Sequence, residues 1–436
     1  MDGINYAAVS RNLSKGLGTF WKPYYNELTP FYYGCPPLCF GIQSLFFRVL
    51  GDSFYVEKIF SVVNILVVIL LIDKIWKLIN NNTKKGWIPI LLFVLIPLST
   101  WAATNNILEN SMTVFVLLAL LFYIKSNSEN RLLNLIFVSV SLFLGFLSKG
   151  FPVFFILTYP LLNWLFFKHQ SFKRVLTDYV LIVIFLTIIC GITVLIFENS
   201  IIWFKKYFEH QVLYSITSWK TVDSRFYILY KFLSNLSLPV GLLLLITLFS
   251  LIKNKGKIKI ADKNVKLFFL FFSTSLTGVF PLMITLKQSV FYLLPVMPIV
   301  AISFAFLAVN LLENLSTSHA FYKISNILII IICCISIGLN IYFCGKTTRD
   351  KNLLSDIHKV GNYVGNNKSI SVNSEMMTYW STIAYFTRYY NITLINFENM
   401  QLKYLIVNTN TKTNTLDANY SKIELDLKMF EIYQKQ

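Results

Sequence analysis

From residue 54 onward the chain alternates long apolar runs with short polar connections. Runs of roughly 15 to 25 residues, the length that crosses a hydrocarbon core, fall at about 54–78, 87–103, 111–124, 131–148, 150–167, 176–197, 237–252, 267–286, 289–311 and 325–344. These runs predict ten membrane spans. Where only Ser148-Lys149-Gly150 or Lys287-Gln288 separates two runs, a tight helical hairpin is expected. Residues 1–53 follow another rule: they are too broken by Pro and Gly to cross lipid and too rich in aromatics to float free, so they predict helices lying along the membrane surface. After about residue 346 the pattern turns polar and Asn-rich. Helix-like stretches (Asp350–Tyr363, Ser374–Tyr390) alternate there with strand-like ones (Ser369–Val372, Ile392–Phe397, Lys403–Val407, Lys422–Ile432), predicting a small α/β domain. The expected architecture is therefore a mainly α polytopic bundle over residues 1–345, with 1–53 as an outer-face loop, followed by a small α/β domain over 346–436.

Composition sharpens this. With 55% hydrophobic, 16% aromatic and only 14% charged residues among 436, no soluble core would hide so much apolar surface, and the chain is an integral membrane protein. A net charge of +18 would suit nucleic acid, but the lysines sit in short connections, where membrane topology and anionic lipid head groups place them; no nucleic-acid motif competes. The six cysteines lack metal-finger spacing. Cys35 and Cys39 are close enough in sequence to meet on one helical face, although unpaired packing residues are the better reading.

Charge also orients the stack. One alternate set of connections carries Lys74, Lys77, Lys84 and Lys85; Lys125 and Arg131; Lys168, Lys173 and Arg174; Lys253 to Lys266; and Lys323, while the other set carries almost none. The basic set is expected in the cytoplasm, which places residues 1–53, the 198–236 loop and the C-terminal domain on the outer face. Residues 1–53 have no preceding span to carry them across, so a further transmembrane helix is expected upstream of Met1.

Four polar groups fall on that outer side: Asp2, Glu109 at the start of a span, Lys149 in the Leu147-Ser148-Lys149-Gly150 hairpin, and His210 on the large loop. Each has a plain structural reading: a terminal residue, a helix-N-terminal carboxylate, a snorkelling lysine, a packed histidine. Together they match transfer from a phosphate leaving group, which needs a base for the acceptor hydroxyl and cations for the departing phosphate.

The order Asp2-Gly3…Tyr6-Ala7…Ser10-Arg11-Asn12, Gly18-Thr19-Phe20-Trp21-Lys22-Pro23, Pro36-Pro37-Leu38 and Gly51-Asp52 resembles the opening outer loop of the polyprenyl-phosphate-dependent GT-C glycosyltransferases. It is most similar to the bacterial branch of lipid A aminoarabinose transferases and protein O-mannosyltransferase-like enzymes. Asn105 to Asn110, Leu147 to Gly150, Phe208-Glu209-His210 and Tyr292 to Pro298 continue the match in order. The resemblance implies Asp2 as catalytic base or acceptor-site carboxylate, Glu109 as the second acidic position, His210 as the outer-loop histidine near the donor phosphate, and Lys149 as the lysine of a Ser-Lys-Gly motif whose role it leaves open; with Gly34 and Cys35 in place of a polar pair, binding of the donor phosphate is expected to fall to Lys22, Lys149, His210 or backbone amides. It also implies a helix before Asp2. Relatives carry an acidic residue and a Lys or His before the Pro-Pro pair, and Gly34 and Cys35 stand here instead. A divalent metal is therefore doubtful, with His210 as its one weak candidate ligand.

The expected function is an inverting glycosyltransferase of the bacterial inner membrane, moving a sugar on its outer face from a polyprenyl-phosphate carrier to a lipid, glycan or protein acceptor. Two alternatives stand beside it: a catalytically impaired relative acting as a partner, motivated by Gly34-Cys35, and a lipid-linked-glycan transporter. The transporter would show internal repeats and helices broken near mid-membrane; no repeat is seen, and the ionisable groups gather at one face.

Overall fold

The computed structural model describes residues 2–80, 85–213, 220–253, 255, 261–313, 338, 342, 350–409 and 419–436. They form two compact units. One comprises Asp2–Tyr25 and Thr29–Asn314; the other takes in Asn26–Leu28 and the C-terminal part from Leu315.

The first unit opens with α1 (Asp2–Ser14), a minimal hairpin of β1 (Gly18–Thr19) and β2 (Lys22–Pro23), and α2 (Leu38–Leu50). Neither helix is long enough to span a membrane. α1 is buried all round from Tyr6 to Asn12, whereas α2 packs by one face through Cys39, Phe40, Gln43, Ser44 and Phe47. The bundle follows: α3 (Val56–Ile79), α4 (Trp87–Leu95), α5 (Pro97–Ala103), α6 (Leu108–Ser126), α7 (Arg131–Lys149), a 3-10 turn (Phe151–Leu157) running into α8 (Thr158–Phe167), α9 (Phe172–Ile196), α10 (Glu198–Tyr207), α11 (Tyr227–Asn235), α12 (Ser237–Lys253), α13 (Asp262–Val279) and α14 (Met297–Glu313). Its core is a continuous apolar cluster centred on Trp76, Phe93, Val116, Leu120, Phe271, Val300 and Phe306.

Among the described residues six helices are long and apolar enough to cross a membrane, and a seventh span results if α11 and α12, bent by 44°, are one. The expected count of about ten is thus not reached among the described residues. The 87–103 run is two helices, because Pro97 forces Ile96 into an extended conformation (φ −73°, ψ 118°). The 150–167 run is helical over Phe151–Phe167 but falls short of spanning length, and the 325–344 run lies outside the described residues.

In the second unit, α15 (Lys351–Val364) buries Leu353, Ile357, Val360 and Val364, one stripe at helical spacing. With α16 (Trp380–Tyr390) it accompanies a five-stranded sheet ordered β4-β3-β5-β7-β6. Here β3 is Ser369–Val372, β4 Thr393–Asn396, β5 Tyr404–Asn408, β6 Tyr420–Ile423 and β7 Phe430–Lys435. β3 pairs in parallel with β4 and β5, while β7 runs antiparallel to β5 and β6. The expected α/β character is present, but the single strand expected over Lys422–Ile432 is two. The chain leaves β6 at Ile423, and the buried Asp356 carboxylate of α15 accepts the backbone N–H groups of Lys428 (2.9 Å) and Met429 (2.6 Å) just before β7.

Candidate functional site

Glu109 lies in the first turn of α6, where the helix dipole favours a carboxylate. Lys149 is the last residue of α7, where the dipole favours a cation. Because α6 and α7 are antiparallel neighbours, these two ends come together, and Lys149 Nζ lies 3.0 Å from Glu109 Oε1 with side chains 13% and 1% exposed. Neither carboxylate oxygen of Glu109 meets a well-aligned hydrogen-bond donor among the described residues, which is costly for a buried carboxylate. Three aromatic faces complete the surroundings of the ammonium: Tyr292 at 5.4 Å, Phe291 at 5.9 Å and Tyr6 at 6.0 Å from ring centroid to Nζ.

The start of α1 is fastened to the turn before α6. Asn106 Nδ2 donates to the Gly3 carbonyl (2.8 Å), Gln43 Nε2 of α2 donates to Asn106 Oδ1 (2.9 Å), and the Ser10 hydroxyl donates to Gln43 Oε1 (2.8 Å). A Cβ at position 3 would collide with the Asn106 carbonyl, so the close approach requires glycine. This clamp holds Gly3, and with it the exposed Asp2 next in the chain, against the turn that leads into α6 and Glu109.

On the other side of Lys149 the chain turns at Gly150 (φ +104°), where any Cβ would strike the Tyr207 hydroxyl. That hydroxyl donates to the Lys149 carbonyl (3.4 Å), tying α10 to the end of α7. Around it Trp21, Trp203, Tyr207, Phe143 and Leu147 form a compact aromatic cluster.

The structure therefore pairs Glu109 with Lys149 and holds Asp2 one residue from the Gly3–Asn106 clamp. Lys22 is half-buried in β2, and no contact among the described residues joins it to the Glu109–Lys149 pair. His210 falls in a π-helical turn over Phe208–Leu213, and its side chain lies outside the described residues. Cys35 and Cys39 are free thiols and form no disulfide. Burial pushes the Cys35 thiol up and the Cys39 thiol up to about 12, so neither brings a charge to the site near neutral pH. The Cys35 thiol instead donates to the Tyr6 hydroxyl at 3.6 Å. No three His, Cys, Asp or Glu side chains converge on a possible metal among the described residues, which do not include the His210 side chain.

Sequence reasoning did not single out Gln43, Asn106 or Phe291. Gln43 carried a usable signal, being an isolated amide in an apolar helix. Asn106 was indistinguishable from its neighbour Asn105.

Comparison with known proteins gives a family match and a fold. Residues 35–197, the stretch holding Glu109 and Lys149, match the family model described as dolichyl-phosphate-mannose-protein mannosyltransferase. The whole chain shares its fold with ArnT from Cupriavidus metallidurans bound to undecaprenyl phosphate: TM-score 0.69 at 11% identity, covering 99% of this chain and 93% of that one. The apo form of the same protein gives a TM-score of 0.65 at 10% identity, covering 99% and 92%. No curated protein matches the chain significantly by sequence. The glycosyltransferase resemblance read from the sequence is thus met by the family match over residues 35–197, and the fold is ArnT-like.

Proposed function

We propose that this ArnT-like protein is an inverting membrane glycosyltransferase that takes a sugar from a polyprenyl-phosphate carrier. The observation that carries this reading is the Glu109 carboxylate, buried at the end of a span, paired with Lys149 through Oε1 and with no aligned donor on Oε2 among the described residues. Open acceptors in a dry site suit donors that arrive with a substrate, such as a sugar or acceptor hydroxyl.

In the proposed reaction the acceptor hydroxyl attacks the anomeric carbon from the face opposite the phosphate. Its proton passes to Asp2, the new C–O bond forms as the bond to the phosphate oxygen breaks, and the polyprenyl phosphate leaves with the electron pair. Glu109 holds the acceptor or Asp2 in line. Lys149, partly neutralised by Glu109 and walled by aromatic rings, faces the leaving phosphate, with Lys22 and His210 as further proposed ligands. The acceptor is a lipid, glycan or protein hydroxyl on the outer face of a bacterial inner membrane.

The test uses membranes containing the full-length protein, a radiolabelled pool of polyprenyl-phosphate sugars and native acceptors. Label should leave the carrier with the wild type and stay on it with Asp2→Asn and with Glu109→Gln. Unchanged transfer in Asp2→Asn would remove that residue as the base. No transfer from any donor by folded, inserted wild type would favour the non-catalytic partner reading, for which the neutral Gly34-Cys35 pair is the motivation.

A further inference from the structure

At the end of α7 far from Lys149, the connection from α6 to α7 is tied to the connection from α8 to α9. Arg131 Nη2 donates to the Arg174 carbonyl (3.4 Å), Arg174 Nη2 donates to the Ser126 carbonyl (3.4 Å), and Gln170 Nε2 donates to Asn127 Oδ1. Arg174 and Gln170 therefore lie over one short piece of chain, Ser126–Asn127. Each keeps one atom unused: the Arg174 Nε donor and the Gln170 Oε1 acceptor are both shielded from solvent and meet no partner among the described residues. The neighbouring Asp178 carboxylate is taken by Arg131 and Tyr123. A shielded donor and a shielded acceptor over the same turn suit a ligand that brings one acceptor and one donor.

Charge selects the acceptor. Over these two connections Lys125, Arg131, Lys168, Lys173 and Arg174 stand against Glu129 and Asp178, so this end of the bundle favours an anion. Lys173 and Arg174 lie in the first turn of α9, where the helix dipole disfavours cations; helix stability does not account for them. The adjoining surface says what the anion is attached to. Phe172, Leu176, Val180 and Val183 form one exposed face of α9 that runs from the basic end into the span, and only 11% of the most apolar stretch of this helix is buried. At the head of that face Phe172 packs on Trp164 of α8, ring centroids 4.9 Å apart. A phosphate held by Arg174 would thus sit directly above hydrocarbon-facing surface, as the phosphate of a phospholipid does.

We infer that this end of the bundle binds an anionic phospholipid with a hydroxylated head group. Its phosphate accepts from Arg174 Nε, with Lys173 beside it; a head-group hydroxyl donates to Gln170 Oε1; and its acyl chains lie along α9. The site is separated from the Glu109–Lys149 pair by the full length of α7, and the inference does not depend on the transfer reaction proposed there.

The experiment titrates the purified, delipidated full-length protein in neutral detergent with dioctanoyl-phosphatidylglycerol, with dioctanoyl-phosphatidylcholine and with glycerol 1-phosphate. Wild type is expected to bind phosphatidylglycerol roughly tenfold or more tighter than phosphatidylcholine, the gain expected of charge-assisted contacts. Arg174→Gln should remove most of that preference while leaving phosphatidylcholine binding unchanged, which also reports on folding. Lys263→Gln, an exposed lysine at the start of α13, should leave the preference intact. If Arg174→Gln does not fold, Lys173→Gln, whose side chain is exposed, carries the test with an expected loss of about threefold. A wild type without preference between the two lipids would overturn the inference. So would an equal loss in Lys263→Gln, which would mean attraction to the basic surface as a whole, and so would glycerol 1-phosphate binding as tightly as the lipid, which would mean a site for a soluble anion.

Discussion

Helix α7 begins and ends on a cation, and each cation meets a buried carboxylate. At its first residue, Arg131 Nη2 lies 2.6 Å from Asp178 Oδ1 and Nε donates to the same oxygen at 2.8 Å. The Tyr123 hydroxyl donates to Asp178 Oδ2 at 3.2 Å. Arg131 and Arg174 each close onto backbone carbonyls nearby, those of Arg174 and Ser126. At its last residue, Lys149 approaches one oxygen of Glu109, and neither oxygen is well aligned with a donor. The carboxylates are equally buried, each 1% exposed. The difference lies in completeness. The Asp178 end is what a structural ion pair requires, with every strong acceptor supplied so that desolvation is offset. The Glu109 end leaves that requirement unmet, as a group awaiting a substrate does.

If this contrast is right, substitutions at the two ends of one helix separate activity from stability. The largest effect is expected at the incomplete end: Glu109→Gln should lower transfer by on the order of 100- to 1,000-fold, about 3 to 4 kcal/mol, with little change in thermal unfolding in detergent. A comparable loss of unfolding temperature would make Glu109 a structural residue. Next, Asp178→Ala should destabilise by about 3 kcal/mol, because it strips the partners from Arg131 and Tyr123, while the protein that remains folded keeps its transfer rate; that rate per folded molecule is the quantity to measure. Smaller again, Asn106→Ala should release the start of α1 and cost about 1 to 2 kcal/mol of transition-state stabilisation, seen as a fall in kcat/KM and rescued in part by Asn106→Gln. The smallest effect belongs to a surface pair used as reference. Lys77 and Asp73 meet at 2.5 Å but are both substantially exposed, and Lys77→Ala should shift stability by no more than about 0.5 kcal/mol.

The spans α3, α6, α7 and α9 were legible because each is a long uninterrupted apolar run, and length alone separates such a helix from a strand or loop. The break at Ile96–Pro97 was written in the sequence too, since the residue before proline avoids the helical region, but hydropathy averaged across it. The bend between β6 and β7 was not legible. Leu425, Asp426, Leu427 and Lys428 continue the strand alternation, and what stops the strand is Asp356, a residue of α15 far away in the chain. The site divides in the same way. A carboxylate at the start of one apolar run and a lysine at the end of the next are local features, so Glu109 and Lys149 stand out in the sequence whatever their role. Their pairing, the aromatic enclosure and the Ser10–Gln43–Asn106 clamp are tertiary facts without a local signature.

The turn at Gly150 bears on how this sequence can change over time. Position 150 has no room for a side chain while Tyr207 keeps its hydroxyl against the Lys149 carbonyl, and its left-handed backbone resists side chains on its own account. Neither residue drifts freely, because losing the tyrosine uncaps the carbonyl and gaining a methyl group expels the tyrosine. Gly150 and Tyr207 are therefore expected to behave as a single inherited unit among descendants of this sequence, kept as a pair or replaced as a pair.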